Sequence, residues 1–435
     1  MRWPGMRAAL FVLAFIAAPA SAQLSRAEKA IVANVEAHHE ADIALLERLV
    51  NQNSGTHNHA GVKAVADMLT PEFEKLGFEV EWIDQTAAGR AGHLFARHAG
   101  KKGTTKMLLI GHLDTVYEPS SPFQTVTRKG DRLIGPGVQD DKGGVTVMLA
   151  ALRAMQAAGT LKNANIVVAL TGDEESVGRP LSVARADLLA AGEWADVALD
   201  FEELSIDNGV DMGVVARRSS NSWQIEASGI EGHSSLIFNE EYGYGAIYEL
   251  VRILDAFRRE LPEENLTYNV GLILGGAQAA LDADKVAGNA TGKSNIIPST
   301  AIARGDFRTL SEEQTERTKA KMQAIVAQHL PGTEATIRFS ESYPAMAPTE
   351  GNLALLVRLN AINTDLGLPE MPILPPIKRG AGDISFVASK VDGLVGFGVA
   401  GTGSHAPGED MDLGSIIRQA QRAAILMSRL AKEKR

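Results

Sequence analysis

The stretch VVALTGDEESVG, residues 167–178, passes from the apolar segment Val167–Leu170 through Thr171 and Gly172 into three consecutive carboxylates, Asp173, Glu174 and Glu175. A short aliphatic run closed by a glycine reads as a buried strand. Adjacent acids repel, and burying them is costly unless positive charge sits among them. The stretch therefore poses two questions, which sheet the strand belongs to and what neutralises its end.

This strand, over Asn165–Thr171, is one of four candidates with Phe78–Trp82, Lys106–Ile110 and Val197–Phe201, and a helix is predicted over Val145–Ala158 between two of them. Ser25 and Glu28 have capping-box spacing and open a helical pattern that runs to about Val50. Strands alternating with helices predict an α/β domain with helices on a largely parallel sheet. From about Arg217 the texture changes to β-α-β-β-α: SWQIEAS, a helix over Tyr244–Glu260, YNVGLILGG, TAIARGDF and a helix over Glu312–Leu330. The α/β texture resumes with TIRFSES, a helix near Leu353–Leu366 and a last helix from about Leu413. The expected organisation is one α/β domain in two segments, 23–216 and 333–435, interrupted by a small α+β domain over 217–332.

Composition narrows the function. The 435 residues hold 43 Lys and Arg against 53 Asp and Glu, so no basic surface argues for nucleic acid or an anionic membrane. A small-molecule substrate is the expected partner. Residues 1–22 read as a signal peptide: MRWPGMR is basic, AALFVLAFIAA is apolar, and Ala20-Ser21-Ala22 has the small-x-small cleavage pattern. Export to a periplasm or beyond is expected. The chain has no cysteine, so there is no thiol nucleophile, and any metal must be bound by His, Asp and Glu.

Five of the ten histidines (His38, His39, His93, His98 and His329) look like solvated surface residues, and the pair His57 and His59 in THNHAG has no accompanying carboxylate. Elsewhere the polar residues are patterned. MLLIGHLDTV puts His112 and Asp114 two apart at a strand end, the spacing of a His ligand and its orienting acid. IGPGVQDDKGG supplies Asp140 and Asp141 before a helix, where they could be no more than caps. Glu175, Glu202 in ALDFEE and His405 in GSHAPGED each follow an apolar strand. Ligands of open α/β sheets gather at carboxyl ends of strands, and independent caps would rarely recur at five such ends. Two imidazoles and three carboxylates (His112, His405, Asp140, Glu175, Glu202) suit zinc, with cobalt or manganese as alternatives. Five ligands fit two ions about 3.5–4 Å apart better than one.

GHLDTV, GPGVQDDKGG, TGDEES, SNIIPSTAIARGDFR and GTGSHAPGE together resemble the co-catalytic di-zinc metallopeptidases that include glutamate carboxypeptidase, aminoacylase and succinyl-diaminopimelate desuccinylase. The texture is most similar to exported bacterial glutamate carboxypeptidases of the G type. The resemblance spans nearly the whole mature chain. It implies an α/β catalytic domain with two zinc ions per subunit and an inserted ferredoxin-like domain through which the chain forms a homodimer. His112, Glu175, His405 and Glu202 match zinc ligands, with Asp200 the rival of Glu202. Asp140 matches the bridging carboxylate, joined to Asp141 by a bond that relatives often make cis. Asp114 matches the residue that orients His112, and Glu174 the general base. His233 in SGIEGHSS matches a histidine that reaches the partner subunit's site. Asn295 and Arg308 match residues that hold the substrate's carboxylate.

The implied activity is metal-assisted hydrolysis of an amide next to a free carboxylate, releasing a C-terminal amino acid such as glutamate. A dipeptidase, a deacylase of N-acyl amino acids, and more remotely a non-catalytic binding protein are the rivals. Two stretches depart from the family pattern: SSLIFNEEYGYG after His233, and KRGAGDISF, where Gly382 and Asp383 fit but the residues before them do not. Both put the substrate in question.

Overall fold

The computed structural model describes residues 24–435, so the expected signal peptide lies outside the described residues. The strands of the two large sheets are, in chain order, β1 (Glu79–Asp84), β2 (Gly92–His98), β3 (Lys106–His112), β4 (Asn165–Thr171), β5 (Val197–Asp200), β6 (Ser220–Gly229), β7 (Thr267–Gly276), β8 (Thr300–Arg308), β9 (Thr333–Tyr343) and β10 (Asp392–Val395). The longer helices are α1 (Arg26–Asn51), α2 (His59–Lys75), α3 (Lys142–Ala157), α4 (Ala186–Trp194), α5 (Ala246–Glu260), α6 (Glu312–Val326), α7 (Glu350–Leu366) and α8 (Gly414–Leu430). Ser25 and Glu28 form the expected capping box on α1. His59 opens α2, with Asn58 as its cap.

The first sheet has six strands in the order β1-β2-β4-β3-β5-β10. β3, β4, β5 and β10 run parallel, while β1 and β2 form an antiparallel edge. β4 is buried along nearly its whole length, as a central parallel strand covered on both faces must be. One face packs under α1, α2, α3 and α8 around Leu46, Phe73, Met148 and Leu426. The other meets Leu188, Met346 and Val387.

The second sheet, β7-β8-β6-β9, is wholly antiparallel. β6 alternates buried and half-buried residues. Trp223, Ile225 and Ala227 face a separate core with Phe257 of α5 and Met322 of α6. Trp223 and Phe257 meet edge to face, 5.8 Å apart. This sheet extends past residue 332. TIRFSES belongs to β9, which pairs along β6 from Gly229–Thr333 to Ser220–Tyr343 and completes a β-α-β-β-α-β unit. The chain returns to the first sheet only after Tyr343, because β9 is the strand that covers the free side of β6.

Candidate metal centre

The parallel register fixes where the polar residues emerge. His112 pairs with Thr171, and Ile110 with both Ala169 and Asp200, so β3, β4 and β5 end at one level. Past those ends come Asp114, Glu174, Glu175 and Glu202, while Asp140 and Asp141 enter from the turn before α3.

Asp140 lies between two imidazoles: its Oδ1 is 2.9 Å from His112 Nε2 and its Oδ2 is 3.1 Å from His405 Nε2. His405 Nε2 is also 3.1 Å from Glu175 Oε2. Donor atoms of His112, Asp140 and Glu175 fall within 4.8 Å of one another. The Asp140–Asp141 peptide is cis, as the resemblance implied. Asp141 Oδ2 accepts the His112 N–H at 3.2 Å. The helix behind it can approach only because residue 144 is glycine: a Cβ there would lie 1.9 Å from the Phe201 carbonyl oxygen and 2.1 Å from Asp141 Oδ1.

Asp114 organises its surroundings. Its Oδ1 is 3.4 Å from His112 Nδ1 and accepts the Glu174 N–H at 3.0 Å. Its Oδ2 accepts the Glu175 N–H at 3.2 Å and the Thr56 hydroxyl at 2.6 Å. Glu409 does the same for the Asp140 turn, accepting the N–H groups of Gly137, Gln139 and Asp140 at 3.1, 2.8 and 3.1 Å. Thr56 and Glu409 were not singled out by sequence. Glu409 closes the GTGSHAPGE motif, and that was its only signal.

The electrostatics fit cations. Burial, and then the charge of Asp140, raise the Glu175 carboxyl to about 7. Burial and the charge of Glu202 push Glu174 well above the carboxylate range. His405 is raised to about 11 by its hydrogen bonds to Asp140 and Glu175. For His112, burial acts to lower the pKa, but the bonds to Asp114 and Asp140 outweigh it and the net shift is upward. The buried Oε1 of Glu175 and Oδ1 of Asp141 have no hydrogen-bond partner. Carboxylates raised by burial and by one another's charge, interleaved with imidazoles, are a donor set that divalent ions satisfy. His112, Asp140, Glu175 and His405 present the nitrogen and oxygen donors that zinc accepts.

Glu202 stands apart from that cluster. Its Oε2 is 2.5 Å from Arg217 Nη1 and 3.1 Å from Arg379 Nη2. Asp200 Oδ2 shares Arg217 Nη1 at 3.3 Å, and Asp200 Oδ1 accepts the Glu202 N–H at 3.2 Å. Burial raises Glu202 to about 8 against the pull of Arg217. Arg217 reaches this position past Gly382, where a Cβ would sit 2.0 Å from Nη1.

Asp173, the third acid of the opening stretch, has its own partner: Arg185 Nη1 is 2.5 Å from Asp173 Oδ1, and Arg185 Nε is 2.9 Å from Asp383 Oδ1. Tyr343 donates its hydroxyl to the Glu174 carbonyl oxygen. The sequence reading missed Arg185, Arg217, Arg379 and Tyr343.

The three residues expected from the insert lie on or beside its sheet. His233 pairs with Ile296, and the Ser234 N–H donates to the Asn295 carbonyl at 2.9 Å, so His233 and Asn295 are neighbours, both exposed. Arg308 ends β8 beside Gly380, where a Cβ would be 3.7 Å from Arg308 Nη1, and the Gly380 carbonyl in turn accepts from Arg217 Nε at 2.8 Å. The described contacts of His233 and Asn295 stay within the insert.

The sequence matches the profile of peptidase family M20/M25/M40 over residues 108–432. It is 27% identical to carboxypeptidase G2 of Pseudomonas sp. over 98% of each chain. It is 28% identical to succinyl-diaminopimelate desuccinylase of Nitrosospira multiformis, over 86% of this chain and 94% of that one. Among solved structures, aminopeptidase PepT of Bacillus cereus superposes with a TM-score of 0.70 at 20% identity, covering 91% and 99% of the two chains. A dinuclear metal-binding M20 peptidase of Bacillus subtilis superposes at 0.61 and 14% identity, covering 91% and 99%. The chain belongs to peptidase family M20/M25/M40, and it is a hydrolase.

Proposed function

We propose that this M20 hydrolase cleaves the amide bond next to a free carboxylate and releases a C-terminal amino acid, with glutamate the first candidate. In this reading two zinc ions per subunit are held by His112, Asp140, Glu175, Glu202 and His405. The observation that carries the reading is Asp140, whose two oxygens face two different imidazoles, beside the unpartnered Glu175 Oε1. When bound, the ions polarise the scissile carbonyl and acidify a water.

The chain's own groups do the rest. Glu174, buried and raised in pKa, takes a proton from the attacking water and passes it to the leaving nitrogen. Hydroxide adds to the carbonyl carbon, the C–N bond breaks, and a carboxylate and an amine result. Asp114 fixes His112 and the backbone of Glu174 together. Arg308 and Asn295 would hold the terminal carboxylate, a role for which the guanidinium fork is shaped. In a homodimer, the partner subunit's His233 would stabilise the carbonyl oxygen. The insert supports pairing: Tyr248 and Val251 of α5 and Val270 and Ile273 of the edge strand β7 are 50%, 50%, 41% and 51% exposed. We place the mature protein in a periplasm or outside the cell, on the strength of residues 1–22 alone.

The near full-length similarity to carboxypeptidase G2 favours the carboxypeptidase reading. Similarity to desuccinylases over 86% of the chain keeps N-acyl amino acids as the second. Metal analysis with a panel of N-acyl glutamates, N-succinyl amino acids and dipeptides, run with and without chelator, separates them. Metal-dependent turnover of dipeptides with a free amine, and of nothing N-acylated, would overturn the proposal.

A further inference from the structure

Between the two sheets, where the chain crosses from β9 back to the catalytic part, lies a cavity of about 260 Å³. Leu181, Leu189 and Phe386 line it from the catalytic part, Glu312 and Thr315 of α6 from the insert, and Pro344 from the crossing segment. Leu189 is 38% exposed, an apolar side chain with an uncovered face. Apolar cavities of about 150 Å³ stay dry and take up benzene, while sites for drug-sized molecules run from about 300 Å³. The volume suits one ring or a fused pair.

The inner wall of this cavity adjoins the chemistry. The Phe386 ring is 5.1 Å from the Tyr343 ring and 5.2 Å from the Arg185 guanidinium. Tyr343 is the last residue of β9 and hydrogen-bonds the Glu174 carbonyl, while Arg185 holds Asp173 one residue earlier. A molecule wedged here contacts both parts of the protein and the side chains that position the backbone of Glu174.

We propose that this cavity is a second binding site, for a small uncharged aromatic molecule, and that its occupation slows turnover by displacing Tyr343 and Arg185, which hold the Glu174 carbonyl and the Asp173 side chain. The kinetic half rests on Glu174 as the base; the binding half does not. Indole is the probe. In wild-type protein without substrate, saturating indole should raise Tm by about 2 °C or more. Leu189→Trp, which fills the cavity with its own ring, should abolish that rise. Ser182→Trp fills it from another wall and serves if the first variant fails to fold. With substrate, indole should lower kcat several-fold and leave KM unchanged.

No Tm shift in wild type, or an equal shift in the filled variant, overturns the site. A shift with unchanged kcat, or inhibition that raises KM alone, overturns the coupling. Loss of base function in Glu174→Gln is read separately, so failure of the catalytic assignment leaves the thermal result standing.

Discussion

Asp114 Oδ1 accepts the backbone N–H of Glu174 at 3.0 Å, so the carboxylate beside His112 also fixes where the candidate base leaves its strand. One buried side chain thus couples the orientation of a candidate ligand to that of the candidate base.

Its own support is Thr56, 2% exposed, with its hydroxyl 2.6 Å from Asp114 Oδ2. Thr56→Val should weaken metal binding, by less than the roughly 10–100-fold expected for losing Asp114, which orients the candidate ligand directly, and Thr56→Ser should restore it. Competition with a chromophoric chelator measures this; equal affinities in all three proteins would remove Thr56 from the site.

Glu174→Gln should lower kcat by about 10²–10⁴-fold, the range for a positioned acid–base group, with metal content unchanged. Near-normal turnover, or loss of metal, would show that Glu174 is not the base.

Arg217 is buried and neutralises Glu202 and Asp200 together. Arg217→Met leaves both acids with Arg379 as their main counter-charge and should cost about 3–5 kcal/mol, as breaking a buried ion pair does. Urea unfolding of the metal-free protein reads this, and an unchanged midpoint would contradict it.

The pH dependence of the metal-free protein has a definite sign. Glu175 and Glu202 are acids raised to about 7 and about 8 from 4.5, so their folded forms favour the proton, and stability falls as pH rises from about 4.5 to 8. His405 is a base raised to about 11 from 6.5, and its contribution, complete below 6.5, is lost between those values. The acids act over the lower part of this range and His405 over the upper, so the sum falls between pH 5 and 9. Divalent metal should flatten the slope and expel protons on binding, which calorimetry in buffers of different ionisation enthalpy detects. A metal-free protein that gains stability over this range would refute the assignment of the shifts.

If His233 serves the partner subunit's site, His233→Ala and Glu174→Gln proteins, each inactive alone, should regain activity when unfolded and refolded together. Activity no greater than the sum of the separate proteins would place His233 outside the reaction.

The residues legible in sequence were those announced by their neighbours. An aliphatic run followed by an acid marks a strand end, and His112 and Glu175 lie together because parallel strands stop at one level, with Asp140 and His405 reaching them from turns. What stayed hidden depends on long-range pairing. Arg217 and Arg379 meet Glu202 from 15 and 177 positions away, and nothing periodic marks either arginine. β9 read as a return to the first sheet because an apolar–polar alternation does not say which sheet it joins. Asp173 looked undefined since its counter-ion, Arg185, sits on the far side of a turn.

Glu409 holds the turn of Asp140 by three backbone N–H groups. Asp140 is made early and its clamp some 270 residues later. The turn that carries Asp140 therefore gets its carboxylate clamp only once the chain has been made past residue 409. A partly made chain carries most of the candidate donors but lacks the side chain that holds Asp140 in its turn.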